Sequence, residues 1–301
     1  MFSKIVYSEF KGNNKSPYMT KKAQMEKNNT SGFTLIELSI VLVIIGLIVG
    51  AIIIGQDIIS AARVRGTVAQ AEKYNSAVNT FRTKYQGIPG DLLTTYASAF
   101  GVFTLTIASA GTAGEGDGNG LIEGGAAAAT VPSGETIVFW RHMTDAGYVD
   151  GSFGTVGNAL LIASTGLVTA NNSNVQSSLP PAKLSPTQYF TVYANLGLNY
   201  FQLLPVAQVQ TPAAYTFAAF GITPVQAYDI DNKIDDGKPN TGIITAAGIA
   251  AVNAVPSWAA AATVNDCMSG GASNVDPTDI YNGVPGSGGD STSCSLKLRF
   301  N

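Results

Sequence analysis

Polarity nearly vanishes along one stretch of the chain. From Leu38 to Gln56 no side chain is charged, a run of about 19 residues. As an α-helix rising about 1.5 Å per residue, such a run can cross the roughly 30 Å hydrocarbon core of a bilayer. Beyond it the pattern narrows to one stripe. Val64, Val68, Ala71, Tyr74, Val78, Phe81 and Tyr85 recur every three or four positions, flanked by Arg63, Arg65, Lys73, Arg82 and Lys84. That spacing predicts an amphipathic helix with a single buried face. The two patterns join into one helix from Phe33 to about Tyr85, roughly 80 Å long, stopped by Gly87-Ile88-Pro89-Gly90-Asp91.

Further along, the period shortens. Residues 101–134 are rich in Gly and Ala and read as loop, and Glu135–Ala146 reads as a short helix before Gly147. Leu160–Thr169, Gln188–Leu196, Tyr200–Gln208 and Ala214–Phe220 read as strands, rich in aromatic and β-branched residues. Thr223-Pro224 predicts a helix start, with threonine as N-cap and proline at the first helical position. Its apolar face is Ala227, Ile230 and Ile234, and Gly237 with Pro239 stops it. Leu296, Leu298 and Phe300 alternate with Lys297 and Arg299, predicting a half-buried final strand. The fold class is α+β: a long N-terminal helix, transmembrane over about 38–56 and amphipathic beyond, packed on a mainly antiparallel sheet.

Charge orients the span. Lys4, Lys11, Lys15, Lys21, Lys22 and Lys27 precede it, with Glu9 and Glu26 the acids against them. Positive flanks stay cytoplasmic, so residues 1–32 face inward and the globular part is exported. The small-residue junction Ser31-Gly32 comes before the apolar run, whereas a secretory cleavage site follows it. An acid at the edge of a span, here Glu37, is costly and therefore functional by default.

Gly32 followed by Phe33-Thr34-Leu35-Ile36-Glu37 resembles the cleavage and methylation site of type IV prepilins and of type II secretion pseudopilins. The resemblance is specific over residues 31–56 and fades downstream. It implies cleavage after Gly32 by a prepilin peptidase, methylation of the new N-terminal Phe33, and an assembly role for Glu37 at the fifth mature position. It divides the chain into a leader (1–32), the long helix (33–86) and an exported pilin-like domain (87–301). The leader is long for this family, and a start at Met25 or Met19 gives one of more usual size. Many type IV pilins carry a proline near the position of Ile54. This chain has Gly46, Gly50 and Gly55 there instead, so helix melting at that point is not signalled. The implied partners are other pilin or pseudopilin subunits, the peptidase, an inner-membrane assembly platform and membrane lipid. The implied location is the bacterial inner membrane, single-pass, and then a filament.

Composition narrows this further. The chain has 17 basic and 20 acidic residues, and removing the six lysines and two glutamates of residues 1–32 leaves eleven against eighteen. An acidic exported domain argues against nucleic acid as the main ligand. Two cysteines, Cys267 and Cys294, have one pairing available. Export permits a disulfide there, a feature common at pilin C-termini; two free buried thiols are the alternative. Closing that Gly/Ser-rich loop would contribute about 3 kcal/mol in the chain-entropy picture.

Two acidic groups are candidate calcium sites, although no cofactor is required by the fold. Residues Glu115 to Glu123 resemble an EF-hand-type loop, with oxygen donors Glu115, Asp117, Asn119 and Glu123 at positions one, three, five and nine and glycine at six. Position twelve is Ala126, so a further ligand must come from elsewhere; the plainer reading is a glycine-rich turn with solvated acids. Asp229, Asp231, Asp235 and Asp236 form the second group. Asp229 and Lys233 make a favourable i,i+4 pair, whereas Asp231 and Asp235 repel near a helix C-terminus, which a cation would relieve. The preferred reading there is a solvated helix face ending in an Asp-Gly turn. His142 is the single histidine, which makes a zinc site or a Ser-His-Asp triad improbable, and Gly111–Gly120 lacks the Lys-Ser/Thr of a P-loop. No enzymatic activity is expected. The expected role is a pseudopilin or minor pilin. The alternatives are a major type IV pilin and a monomeric membrane-anchored binding or adhesion protein.

Overall fold

One helix carries both N-terminal patterns. The computed structural model describes residues 32–104, 116–124, 134–153, 155–156, 159–160, 174–210, 214–217, 221–248, 267–268, 279–282 and 294–300. Residues 1–31, Glu115, Ala126 and most of the expected strand 160–169 lie outside them. Helix α1 runs without a break from Leu35 to Tyr85. Its start is a capping box: the Thr34 N–H donates to Glu37 Oε2 at 2.8 Å, and Thr34 Oγ1 accepts the Glu37 N–H at 3.3 Å.

The chain divides into two units, residues 1–53 and 54–301. In the first, every described side chain is exposed. In the second, the later turns of α1 bury Val64, Thr67, Ala71, Tyr74, Ala77, Val78, Phe81 and Tyr85. The expected stripe is present, broadened by Thr67 and Ala77, with Val68 at its half-buried rim. The helix ends one residue earlier than its glycine signal: Gln86 takes the left-handed conformation, with φ of 57°. A short helix α2 (Thr94–Phe100) follows, and then α3 (Glu135–Asp145), close to the expected 135–146.

The sheet is antiparallel at every pairing. After a small hairpin of β1 (Thr155–Val156) and β2 (Ala159–Leu160) come β3 (Gln188–Asn195), β4 (Leu198–Gln210), β5 (Ala214–Phe217), β6 (Ile244–Gly248) and β7 (Cys294–Phe300). The order is β3-β4-β7-β6, with β5 pairing the far end of β4 beyond a bulge near Val206. A two-residue turn joins β3 to β4, with Leu196 and Gly197 both left-handed at φ of 50° and 75°. That turn matches the twist of the flanking strands. Strand β6 was not expected, because Ile244-Thr245-Ala246-Ala247-Gly248 has too little β-branched or aromatic content to stand out. Helix α4 (Pro224–Ile234) has the expected cap and adds a capping box with Gln226.

The core of the second unit is an aromatic layer. Tyr74 meets Trp140 of α3 and Phe190 of β3 edge to face, at 5.0 and 5.3 Å between ring centroids. Phe201 of β4 stacks on Phe300 of β7 at 4.2 Å. Such pairs contribute about 0.5–1.5 kcal/mol each beyond their area burial.

The turn after α1 is locked to α3. The Gly90 N–H donates to Nδ1 of buried His142 at 2.9 Å, and His142 Nε2 lies 2.6 Å from the Phe103 carbonyl. Nδ1 therefore accepts and Nε2 donates, so the imidazole is neutral. Burial pushes its pKa down to about 4. Gly90 has φ of 91°, and a Cβ there would sit 2.6 Å from the Glu135 carbonyl oxygen. Gly90→Ala is expected to cost roughly 1–3 kcal/mol through backbone strain, measured as a lower denaturation midpoint of the detergent-extracted protein.

Candidate functional site

At the N-terminus the structure presents an apolar surface headed by one anchored acid. Phe33 and Leu35 are 87% and 90% exposed, and the Ile, Leu and Val side chains from Ile36 to Ile54 are exposed as well. The α1 window of highest hydropathy averages 3.1, none of it buried. Glu37 Oε2 also accepts the Thr34 hydroxyl at 2.8 Å. Glu37 and Thr34 are thus tied together beside Phe33.

The glycine-rich loop is organised by acids from outside it. Asp91 accepts the N–H groups of Gly118 and Gly120, each at 2.7 Å. Glu135 accepts those of Gly116 at 2.7 Å and Glu123 at 2.8 Å. Asn199 fastens the loop to the sheet, with Oδ1 accepting the Ile122 N–H and Nδ2 donating to the Gly120 carbonyl. Of the expected calcium donors, Asp117 and Asn119 close turns on N–H groups two residues on, and Asn119 Nδ2 donates to both Asp117 and Glu123. Carboxylate oxygens of Asp91, Asp117 and Glu135 come within 4.8 Å of one another. Burial, and then the facing carboxylate of Asp91, hold Glu135 well above the usual carboxyl range. Asp91 and Glu135 are also hydrogen-bonded to each other, an arrangement in which the pair keeps one proton.

The second acidic group differs from its expected form. Asp231 is fully buried rather than part of a solvated face. It follows Ile230 on the inner side of α4, and the Tyr281 hydroxyl donates to its Oδ2 at 2.7 Å. Asp235 accepts from the Ile243 and Ile244 amides, and Asp236 accepts the Lys238 N–H at 2.9 Å. Asp229 stands apart: Lys233 Nζ donates to its carbonyl oxygen at 3.3 Å instead of pairing with its carboxylate. Burial pushes Asp231 up to about 7, with the Tyr281 hydroxyl offsetting it and Asp236 adding to it.

Cys267 and Cys294 form the disulfide, with Cα atoms 5.1 Å apart. The bond ties the segment carrying Tyr281 to the first residue of β7. Asn282 adds a bond from its N–H to the Cys267 carbonyl at 2.9 Å.

One comparison bears on the exposed N-terminal surface. Residues 27–53 match the prokaryotic N-terminal methylation motif. This is the type IV pilin and pseudopilin signature, and it supports a pilin-like or pseudopilin subunit. The motif implies processing by a prepilin peptidase and assembly with other pilin subunits. No curated protein and no solved structure matches the chain. The motif covers Gly32, Phe33 and Glu37 and ends where the chain's second unit begins.

Sequence reasoning missed Thr34, Asp91, Glu135 and Tyr281. Thr34 was legible from its spacing, since Thr-x-x-Glu is the capping-box pattern. Asp91, Glu135 and Tyr281 carry no local signal; only long-range contacts bring them to their loops.

The carboxyl pair fixes a pH dependence. A carboxyl whose folded pKa lies above its unfolded value binds more protons folded than unfolded. Its contribution to stability is complete below the unfolded value of 4.5 and fades as pH rises through the raised folded value. Glu135→Gln mimics the protonated acid. It is expected to unfold near the wild-type temperature at pH 5 and to lose less stability than wild type at alkaline pH, as followed by thermal melts across that range.

Proposed function

We propose that this chain is a pseudopilin or minor pilin, cut after Gly32, N-methylated at Phe33 and assembled into a filament through the apolar half of α1. The observation that carries this is the methylation motif at the head of an exposed apolar helix. The lysines of residues 1–32 support an inward-facing leader and an exported domain. A pseudopilin or minor pilin is favoured over a major pilin because about 215 residues follow the helix, large for a principal subunit. The role is structural rather than catalytic: apolar helices that pack head to tail give a heterologous, non-closing interface, which is what a filament requires.

Glu37 supplies the alignment. A carboxylate inside an apolar bundle needs a cationic partner, and the freed amine of Phe33 on a neighbouring subunit has the complementary charge. Thr34 holds the Glu37 carboxylate at the N-terminal end of the helix, where such an amine arrives.

Mass spectrometry of the membrane-extracted protein is expected to show a chain beginning at N-methyl-Phe33. Gly32→Ala is expected to be cut at close to the normal rate, and a bulky residue at position 32 to block cutting. An intact leader, or a cut beyond the apolar run, contradicts the proposal.

Glu37→Val makes the span more apolar and leaves insertion intact, so the variant is expected to accumulate in the membrane and to disappear from sheared filaments. Incorporation at the wild-type level excludes the alignment role. A wild-type protein that stays in the membrane, with no sheared fraction, favours a monomeric anchored protein instead.

A further inference from the structure

We propose that the sheet face turned away from α1 holds a binding site for an oxyanion, a carboxylate or a phosphate, received by Lys297, Gln202 and Thr245. Phe190, Phe201 and Phe300 belong to the aromatic layer under α1. Side chains alternate along a strand, so Thr191, Gln202, Lys297 and Arg299 lie on the opposite face. Register sets the first three, with Thr245, in one row. Thr191 pairs with Gln202, Gln202 with Lys297, and Lys297 with Thr245. The row crosses β3, β4, β7 and β6, and directly opposed Cβ atoms in such pairs stand about 4.5–5.5 Å apart.

Two members of the row end in buried polar atoms without a hydrogen-bond partner, Gln202 Nε2 and Thr245 Oγ1. Gln202 is only 2% exposed. Such orphaned atoms are costly. They flank Lys297, one on each neighbouring strand. Two strand spacings, about 10 Å, separate the backbones that carry them, too far for the two side chains to satisfy each other. The Thr191 hydroxyl lies 3.4 Å from Gln202 Oε1, so the nitrogen end of the carboxamide turns away from β3, to the side of β4 where β7 and Lys297 stand. Lys297 Nζ lies 5.1 Å from the Tyr200 ring centroid, which keeps the amine close to β4. An amine, a carboxamide N–H and a hydroxyl are all donors, and a single oxyanion over Lys297 accepts from all three.

The surroundings favour negative charge and a flat ligand. Burial holds the Lys297 pKa below its ordinary value, and a partly desolvated ammonium gains more from an anion than a solvated one does. The next row on the same face is Tyr193, Tyr200 and Arg299, with the two rings stacked at 5.7 Å between centroids. Arg299 is exposed and forms no ion pair among the described residues. After position 32 the chain carries eighteen acids against eleven bases, so two cations on one face beside an aromatic ring are a local exception. A carboxylate on a sugar ring fits this set: the donors hold the charge, and Tyr200 lies beside the ring.

The test uses full-length protein extracted in detergent and reads thermal unfolding against added glucuronate and inorganic phosphate, with glucose and sodium chloride at matched ionic strength as controls. A ligand that binds only the folded state raises the melting temperature as its concentration passes Kd. Glucuronate or phosphate is expected to raise it above the value in matched sodium chloride, and glucose to leave it unchanged; the anion that acts identifies the class of oxyanion. Lys297→Met is expected to lose the rise, and Lys183→Gln, an exposed cation elsewhere, to keep it. Should Lys297→Met not fold, Thr245→Val removes one donor at nearly constant volume and is expected to weaken binding several-fold in titration calorimetry. No rise with either anion, a rise equalled by sodium chloride or glucose, a rise that survives Lys297→Met, or unchanged affinity in Thr245→Val overturns the assignment. Binding is read on unassembled protein, so the result is independent of the filament reading.

Discussion

The edge-to-face contacts of Tyr74 with Trp140 and Phe190 join three elements that are distant in sequence: the second half of α1, helix α3 and strand β3. The globular unit depends on this junction. A helix with one apolar stripe has no stable existence in water without a surface to cover it. Here the stripe meets the aromatic face formed by Trp140, Phe190 and Phe201. Once α1 and α3 are fixed to the sheet, the turn after α1 has little freedom. His142 on α3 receives the Gly90 amide and so sets the course of the chain that carries Asp91.

From that turn onward the protein relies on buried acids to order glycine-rich backbone. Ordering a residue costs roughly 1–2 kcal/mol in backbone entropy, and glycine costs the most. Residues 116–123 recover part of this through amides aimed at Asp91 and Glu135. The two carboxyls can approach because one proton suffices for both. The Asp231 group is held in a similar way, with Asp235 taking the Ile243 and Ile244 amides and Asp236 the Lys238 amide. Asp231 itself takes the hydroxyl of Tyr281, which lies between the two cysteines of the Cys267–Cys294 bond.

The N-terminal half of α1 obeys a different constraint. Its side chains are apolar all round and exposed, so it needs lipid or other helices rather than a core of its own. Glu37 is the charged exception, and the capping box gives it a fixed place at the helix start. A surface of this kind, with a methylation motif at its head, suits a membrane-anchored, pilin-like subunit.

Much of this was legible in the sequence, for a physical reason: it rests on local periodicity and local hydrogen bonding. The apolar span, the stripe ending at Tyr85, the Thr223-Pro224 cap of α4 and the alternation of β7 each follow from residues within a few positions of one another. The cleavage motif is equally local, and the disulfide, though its cysteines stand 27 residues apart, was legible because two cysteines leave one pairing. Tertiary structure alone decided the burial of Asp231, the meeting of Asp91 with Glu135, the placing of Tyr281 and the recruitment of small-residue β6 to the sheet edge. The partners in the first three stand 44 to 50 residues apart in the chain, and β6 pairs with β7 across a similar gap. Such contacts depend on how the layers pack, and no local pattern of side chains encodes that.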